Sequence, residues 1–198
     1  PLDIKAAEMG SLRQLADDLF WARFDLPFRL NHINLYILAT AEGWVLIDTG
    51  LNNEITAQHW QALLKGPLAG KPVYQIIVTH HHVDHIGYAG PLAALTGAQT
   101  FSSLAETEHA KWLYALADED FGNLLAKTYH RYGLPTELVN AVRSGGSRYR
   151  RNTAPLPEFS FLQEGDEIKT SAGSWRIRTD TGHSDAQISL MDRERGLF

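Results

Sequence analysis

One short segment limits the possible folds of this chain more than any other feature. Within six residues it contains His80, His82, Asp84 and His85, and it closely follows the largely apolar segment 73–78. An apolar run of this length predicts a buried strand, and the end of a strand is a rigid support for clustered side chains. Imidazole and carboxylate groups are ligands for zinc, iron and manganese. The segment therefore predicts a metal site at the end of a buried strand.

Two further segments also place metal-competent residues after strands. Residues 175–179 alternate between apolar and polar side chains, which predicts a strand with one buried face, and His183 follows in the sequence Asp-Thr-Gly-His. The apolar residues 44–47 form another predicted strand, and Asp48 follows directly in the sequence Asp-Thr-Gly. Each of the three segments thus carries a histidine or an aspartate where a strand ends.

The order and spacing of these three segments resemble the signature of the metallo-β-lactamase superfamily. The resemblance implies that His80, His82 and His183 bind one metal ion, and that Asp84 and His85 face a second one. Zinc is the expected metal, with one or two ions bound. The same ligands are also compatible with iron or manganese.

The resemblance also implies roles for residues around the ligands. Asp48 is expected to support the site rather than bind metal, because ligating histidines usually donate their second ring N–H to a carboxylate or a carbonyl group. His81 takes the variable position of the pattern and is expected to point away from the metal. His32 begins a predicted strand near the pocket, where it is either a substrate contact or a structural histidine.

A basic segment at residues 143–151 contains four arginines around a glycine pair. A guanidinium group binds carboxylate and phosphate groups through two parallel hydrogen bonds. Arg148 and Arg150 are therefore candidates for binding an anionic part of a substrate. A solvated basic loop explains the same composition, and both interpretations stay open.

Composition restricts the class of protein further. The chain has 198 residues, 44% of them hydrophobic, which suits one domain with a core. It contains no cysteine, which excludes disulfides, thiol catalysis and cysteine-ligated zinc. Its net charge of −5 argues against nucleic acid as a partner, and no apolar stretch reaches the length that spans a membrane. We therefore expect a cytoplasmic protein that acts on a small molecule.

The resemblance implies an α/β fold with the αββα sandwich of the superfamily, formed as a single domain over residues 1–198. Residues 18–24 are predicted to form an edge strand of this sandwich. Between the two halves of the family pattern, leucines recur at helical spacing. This spacing predicts a helical insertion at about residues 104–152.

The family pattern continues beyond residues 196–198. It runs into a Gly-Asp pair, whose aspartate bridges two metal ions, and then to a final histidine. We therefore expect the chain to supply the N-terminal portion of the fold, with a domain that is incomplete at its C terminus. An incomplete sheet leaves strand edges uncovered, and such edges tend to pair with another chain. We accordingly expect a homo-oligomer.

The resemblance implies a metal-dependent hydrolase, similar to glyoxalase II and to other β-lactamase-like enzymes. Metal-activated water would attack the carbonyl group of an ester, thioester, lactone or lactam. Asp84 is the catalytic candidate, because it is placed to orient this nucleophile and relay its proton. Two alternatives remain open. One is an iron-dependent oxidoreductase of the persulfide dioxygenase type on the same fold, and the other is a binding module without catalytic activity.

Overall fold

The fold is described from a computed structural model, which covers residues 6–153 and 155–198 without the side chains of residues 146–150. Within this part of the chain, the strands form one sheet of seven strands and one sheet of three. Helices pack on one face of the larger sheet, and the smaller sheet packs on its other face. These layers confirm the α/β fold that the sequence predicts.

The seven-stranded sheet follows the order of the sequence. Its first four strands are antiparallel to their neighbours, and the fourth to the seventh are parallel. The strands are β1 (Leu12–Gln14), β2 (Leu19–Asp25), β3 (His32–Ala39), β4 (Trp44–Ile47), β5 (Val73–Ile77), β6 (Gln99–Ser102) and β7 (Phe159–Phe161). Because parallel strands run in the same direction, the segments after β4 and β5 meet at one edge of the sheet.

The three-stranded sheet is antiparallel and has the order β10-β9-β8. Its strands are β8 (Glu167–Lys169), β9 (Ser174–Asp180) and β10 (Gln187–Met191). The helices are α1 (Glu54–Lys65), α2 (Val83–Ile86), α3 (Ala89–Thr96), α4 (Leu104–Ala115), α5 (Asp118–Arg131) and α6 (Thr136–Arg150). Along the chain, helices α4 to α6 thus come between β6 and β7. Among the described residues, none of these helices has the length and apolar character needed to cross a membrane.

Strand β5 is buried on both faces, which explains its nearly continuous apolar sequence. Ile76 packs with Trp60 of α1 and Leu92 of α3 in the cluster beneath the helices. The next residue, Ile77, packs with Trp175 in the cluster between the two sheets. Successive side chains of a strand point to opposite faces, so β5 is fixed from both sides. The loop that follows β5 therefore starts from a rigid position.

The prediction of an edge strand at residues 18–24 is wrong. Strand β2 pairs with β3 on one side and with β1 on the other, so it lies inside the sheet. Strand β1 is only three residues long. A strand this short has no recognisable alternation of apolar and polar residues, so the sequence gives no sign of the neighbour that covers β2.

A buried carboxylate joins the two sheets. Asp18 directly precedes β2 and is fully buried. Arg195 donates hydrogen bonds to both of its oxygens, over 2.6 and 2.9 Å, and Thr170 and Trp175 donate to it as well. Burial alone raises the pKa of Asp18, but the hydrogen bonds and the charge of Arg195 outweigh burial and lower the pKa to about 2. Asp18 is therefore ionised in the folded protein at neutral pH.

This lowered pKa predicts an acid-sensitive contribution to stability. In the unfolded chain the Asp18 carboxyl has a pKa near 3.9, so its stabilising effect is complete above about pH 4 and is lost as the pH falls towards 2. Asp18→Asn is expected to lower the free energy of unfolding by about 3 kcal/mol at pH 7, because Arg195 loses a charged partner in a buried site. The difference between the two proteins should shrink as the pH falls from about 4 to 2.

Denaturant unfolding at a series of pH values measures this difference. Asp17→Asn removes the neighbouring carboxylate, which is exposed, and serves as the matched control. Its free energy of unfolding should stay close to that of the wild type. A gap between wild type and Asp18→Asn that is the same at neutral and at acid pH would contradict the role given to Asp18.

Candidate metal centre

Three histidine rings converge on one point at the ends of β5 and β9. The distance from His80 Nε2 to His82 Nδ1 is 3.0 Å, and that from His82 Nδ1 to His183 Nε2 is also 3.0 Å. His183 Nε2 lies 3.2 Å from His80 Nε2, which closes the triangle. The ring planes cross at 78°, 79° and 88°, so the rings meet through their nitrogen atoms rather than stack.

The three nitrogens cannot all satisfy one another through hydrogen bonds. A neutral imidazole has one N–H group and one lone pair, and a nitrogen that carries the proton cannot also accept a hydrogen bond. Three nitrogens in mutual contact therefore leave at least one pair in which two lone pairs, or two N–H groups, face each other. Nitrogens bound to one zinc ion at 2.0–2.1 Å lie about 3.3 Å apart at tetrahedral angles. The observed spacing of 3.0–3.2 Å is close to this value, and the triad fits a metal ion.

The electrostatic surroundings keep the rings of His80 and His82 neutral. Burial lowers the pKa of His80 to about 3, and the neighbouring His85 adds to this shift. Burial also lowers the pKa of His82 to about 4, with a further contribution from His81. A histidine binds metal only through a deprotonated nitrogen. Both lone pairs are therefore available to a metal ion at neutral pH.

Asp48 directly follows β4, and its backbone lies in the left-handed region at φ +64°. Its Oδ2 is 2.7 Å from His85 Nδ1, and its carboxylate accepts hydrogen bonds from both the backbone N–H and the hydroxyl of Thr79. Burial alone raises the pKa of Asp48, but His85 and the N–H of Thr79 outweigh burial and lower the pKa. The carboxylate is therefore ionised beside the histidines.

Thr79 links Asp48 to His80 through hydrogen bonds, and the sequence interpretation missed this residue. Thr79 Oγ1 lies 2.9 Å from Asp48 Oδ2 and 2.9 Å from His80 Nδ1. Because the hydroxyl donates its only hydrogen to the carboxylate, it accepts the N–H of His80 Nδ1. This arrangement leaves the lone pair of His80 on Nε2, which faces the triad. The sequence signal was the threonine that directly precedes His80.

The Asp-Thr-Gly turn after β4 also fixes the far end of the histidine loop. The Thr49 backbone N–H and hydroxyl both donate to the carbonyl oxygen of His85, over 2.9 and 2.7 Å. Gly87 leaves room for the carbonyl oxygens of Val83 and Gly50, because a Cβ there would lie 2.3 Å and 2.9 Å from them. The loop is thus held to the sheet at both of its ends.

Asp84 and His85 lie beside the triad rather than within it. His85 stands with its ring centre 4.0 Å from that of His80, and its Nε2 lies 3.6 Å from Asp84 Oδ2. Burial alone lowers the pKa of His85, but the charges of Asp48 and Asp84 and the hydrogen bond to Asp48 raise it above its usual value. A second metal ion facing Asp84 and His85 stays a prediction from the sequence resemblance.

Of the three candidate substrate contacts, only His32 has a side chain among the described residues. His32 opens β3, and its Nδ1 lies 2.8 Å from the side-chain oxygen of Asn31. Its role as a substrate contact stays a prediction, with a structural role as the alternative. The side chains of Arg148 and Arg150 lie outside the described residues, so their proposed role stays a prediction.

The two sheets form an α/β sandwich whose strand ends carry three histidines that fit a divalent metal ion. Residues 29–197 match the Metallo-beta-lactamase superfamily. Since this match covers most of the sequence, the chain belongs to the metallo-beta-lactamase superfamily.

Among curated proteins, the chain is similar to the acyl-coenzyme A thioesterase MBLAC2. It is 26% identical to the Gallus gallus protein over 198 residues, which cover 98% of this chain and 66% of that protein. It is also 26% identical to the Homo sapiens protein over 202 residues, with the same two coverages of 98% and 66%. The chain thus spans slightly less than two thirds of the length of these relatives.

Solved structures show the same fold. A beta-lactamase domain protein from Burkholderia ambifaria superimposes with a TM-score of 0.81 at 29% identity, over 99% of this chain and 57% of that one. A metallo-beta-lactamase family protein from Thermus thermophilus superimposes with a TM-score of 0.69 at 24% identity, over 89% of this chain and 56% of that one. The second likeness shows the fold alone.

Proposed function

We propose that the protein is a zinc-dependent hydrolase that cleaves a thioester bond in a small molecule. The convergence of His80, His82 and His183 is the observation that carries this proposal, because three histidines form the ligand set of hydrolytic zinc sites that activate water. The similarity to acyl-coenzyme A thioesterases over 98% of the chain favours a thioester among the ester, thioester, lactone and lactam substrates.

The three histidines would hold the zinc ion through the nitrogens that face one another. When bound, zinc supplies a hydroxide nucleophile near neutral pH, because it lowers the pKa of water from about 15.7 to about 7. Asp48 keeps the supporting proton on His80 Nδ1 through Thr79, so the ligand nitrogen stays unprotonated.

Asp84 acts as the general base in this proposal. It lies in the first turn of α2, directly after the loop that carries His80 and His82. In thioester hydrolysis the water gives up one proton to become the hydroxide that forms the C–O bond, and the departing sulfur takes up one proton after the C–S bond breaks. Asp84 would hold the proton between these two events.

Metal removal and substrate comparison test this function on the natural protein at its full length. Acyl-coenzyme A hydrolysis is expected to fall to the rate in buffer after treatment with a chelator, and to return when zinc is added back, because the nucleophile depends on the ion. Release of free thiol measures the rate. A β-lactam and a lactone assayed in parallel separate the thioester from the other candidate bonds.

Three results would count against the proposal. Full thioester turnover in chelator would remove the metal from the reaction. Turnover of the β-lactam or the lactone alone would change the substrate class. Oxygen uptake in the presence of iron and a persulfide would favour the oxidoreductase instead.

A further inference from the structure

A buried carboxylate on α4 contacts both loops of the candidate metal centre. Glu106 is only 1% exposed. Its Oε2 accepts a hydrogen bond of 3.0 Å from the backbone N–H of His81 and lies 2.6 Å from His81 Nδ1. Its Oε1 accepts a hydrogen bond of 2.8 Å from the backbone N–H of Ala186. One side chain therefore joins the loop after β5 to the loop after β9.

The two contact points lie next to the ligands themselves. His81 stands between His80 and His82, and Ala186 comes three residues after His183. A shift of either loop changes the spacing of the triad nitrogens. A side chain that binds both loops at once therefore restrains this spacing directly.

The local sequence predicts a different role for Glu106, in the cap of helix α4. Ser103 caps α4, and its side chain accepts the backbone N–H of Glu106. Ser-x-x-Glu at a helix start is a capping box, in which the glutamate normally turns back to the N–H of the serine. Here both carboxylate oxygens are instead engaged by the histidine loops.

The charge of Glu106 strengthens these contacts. Burial alone raises the pKa of its carboxyl, but the hydrogen bonds from His81 and Ala186 outweigh burial and hold the pKa below its usual range. Hydrogen bonds to an ionised acceptor are roughly twice as strong as those between neutral groups.

Two other residues of α4 contact the same loops. Tyr114 donates its hydroxyl to the carbonyl oxygen of His81 over 2.7 Å. His109 stacks on His81 with ring centres 4.1 Å apart, and its Nδ1 lies 3.0 Å from Asp185 Oδ2. Helix α4 thus binds the first loop at three points and the second loop at two, with Glu106 as the buried residue common to both.

We propose that Glu106 is a positioning residue, which holds the loops that carry His80, His82 and His183 at the spacing a metal ion requires. This inference rests on the proposed metal centre. Glu106 does not touch the ligand nitrogens and acts through the backbone on either side of them. It makes α4 a structural part of the metal centre.

The variant Glu106→Gln tests the proposal, with Glu108→Gln on the same helix as the matched control. An amide side chain has one acceptor oxygen, so it serves one loop and presents an N–H₂ group to the N–H donor of the other. Zinc affinity, measured by competition with a chelator, is expected to fall about 10–100-fold. Glu108 has a side chain that is 64% exposed and lies 3.7 Å from Lys111, so its variant should bind zinc as the wild type does.

Hydrogen exchange of the metal-free protein gives a readout that does not depend on zinc. The amides of His81 and Ala186 should exchange slowly in the wild type, and at least one of them faster in Glu106→Gln, while amides of β5 stay protected. Wild-type zinc affinity together with unchanged exchange at both amides would overturn the proposal. A wild type that binds no zinc would refute the metal centre instead, and the exchange data would still decide the role of Glu106.

The variant Glu106→Asp provides a second test for the case that Glu106→Gln does not fold. It keeps the charged acceptor but is shorter by one methylene, so its zinc affinity should lie between those of the wild type and Glu106→Gln. If Glu106→Gln is unfolded by circular dichroism, the aspartate variant decides the question. A folded Glu106→Asp protein with the zinc affinity and amide exchange of the wild type would show that the length of this side chain does not set the spacing of the loops.

Discussion

Replacing His183 by alanine is expected to weaken zinc binding by about 10²-fold and to abolish hydrolysis. The free energy of zinc binding at a four-ligand site is about 10–16 kcal/mol, so each ligand contributes about 3 kcal/mol, and 1.4 kcal/mol corresponds to a factor of ten. His183 follows a strand of the smaller sheet and would supply the third ligand nitrogen, since its Nε2 lies 3.0 Å from His82 Nδ1. Metal analysis after dialysis and chelator competition measure the loss.

His80→Ala and His82→Ala should give losses of the same size, because the three nitrogens form one group. His130→Ala on α5 removes an exposed histidine and is the control, with zinc binding expected to match the wild type. If His183→Ala retains zinc at the level of this control, the ion does not bind between the loops after β5 and β9, and the assignment of the triad is wrong.

Replacing Asp84 by alanine is expected to lower kcat of the natural full-length protein by about 10²–10⁴-fold, which is the usual contribution of a general acid or base. The KM for the thioester should change far less, because the proton transfer occurs in the transition state and not in substrate binding. The triad should still bind one zinc ion, since Asp84 lies outside it. Steady-state kinetics together with metal analysis separate these effects.

Asp84→Asn provides a second test at nearly constant shape, because it removes the charge and the proton acceptor but keeps the size of the side chain. Asp120→Asn, on the exposed first turn of α5, is the matched control and should keep wild-type turnover. Near-normal kcat in both Asp84 variants with a full metal content would exclude this residue from the proton transfer. Lost zinc at the triad would instead make Asp84 a ligand of the first ion.

The position of the three histidines in the fold was predictable because these residues follow strands with clear sequence patterns. The apolar run of β5 and the alternation in β9 each end in a histidine segment, and the short-range pattern fixes where those segments begin. The convergence of His80 with His183, 103 residues away, came from the family resemblance and not from either pattern. The residue types of a segment indicate that it forms a strand. They do not indicate which other strand ends beside it in the fold.

The residues around the triad show most clearly which contacts a sequence pattern does not predict. Thr79 relays the effect of Asp48 to His80, and any small polar residue before a histidine looks the same in a sequence. Glu106 stands in a capping box, so its sequence context points to the helix start and not to the loops it binds. Both residues also contact a part of the chain that is distant in the sequence, namely Asp48 for Thr79 and Ala186 for Glu106.

Residue types at fixed short spacings were enough to predict the α/β class, the family and the segments that carry the candidate ligands. Three contacts became visible only in the folded chain: Glu106 joins the two histidine loops, β1 covers β2, and Asp18 binds Arg195 across 177 residues. Those contacts depend on how the two sheets and α4 pack against one another. Packing brings together side chains whose separation along the chain has no fixed value, so no local pattern records it.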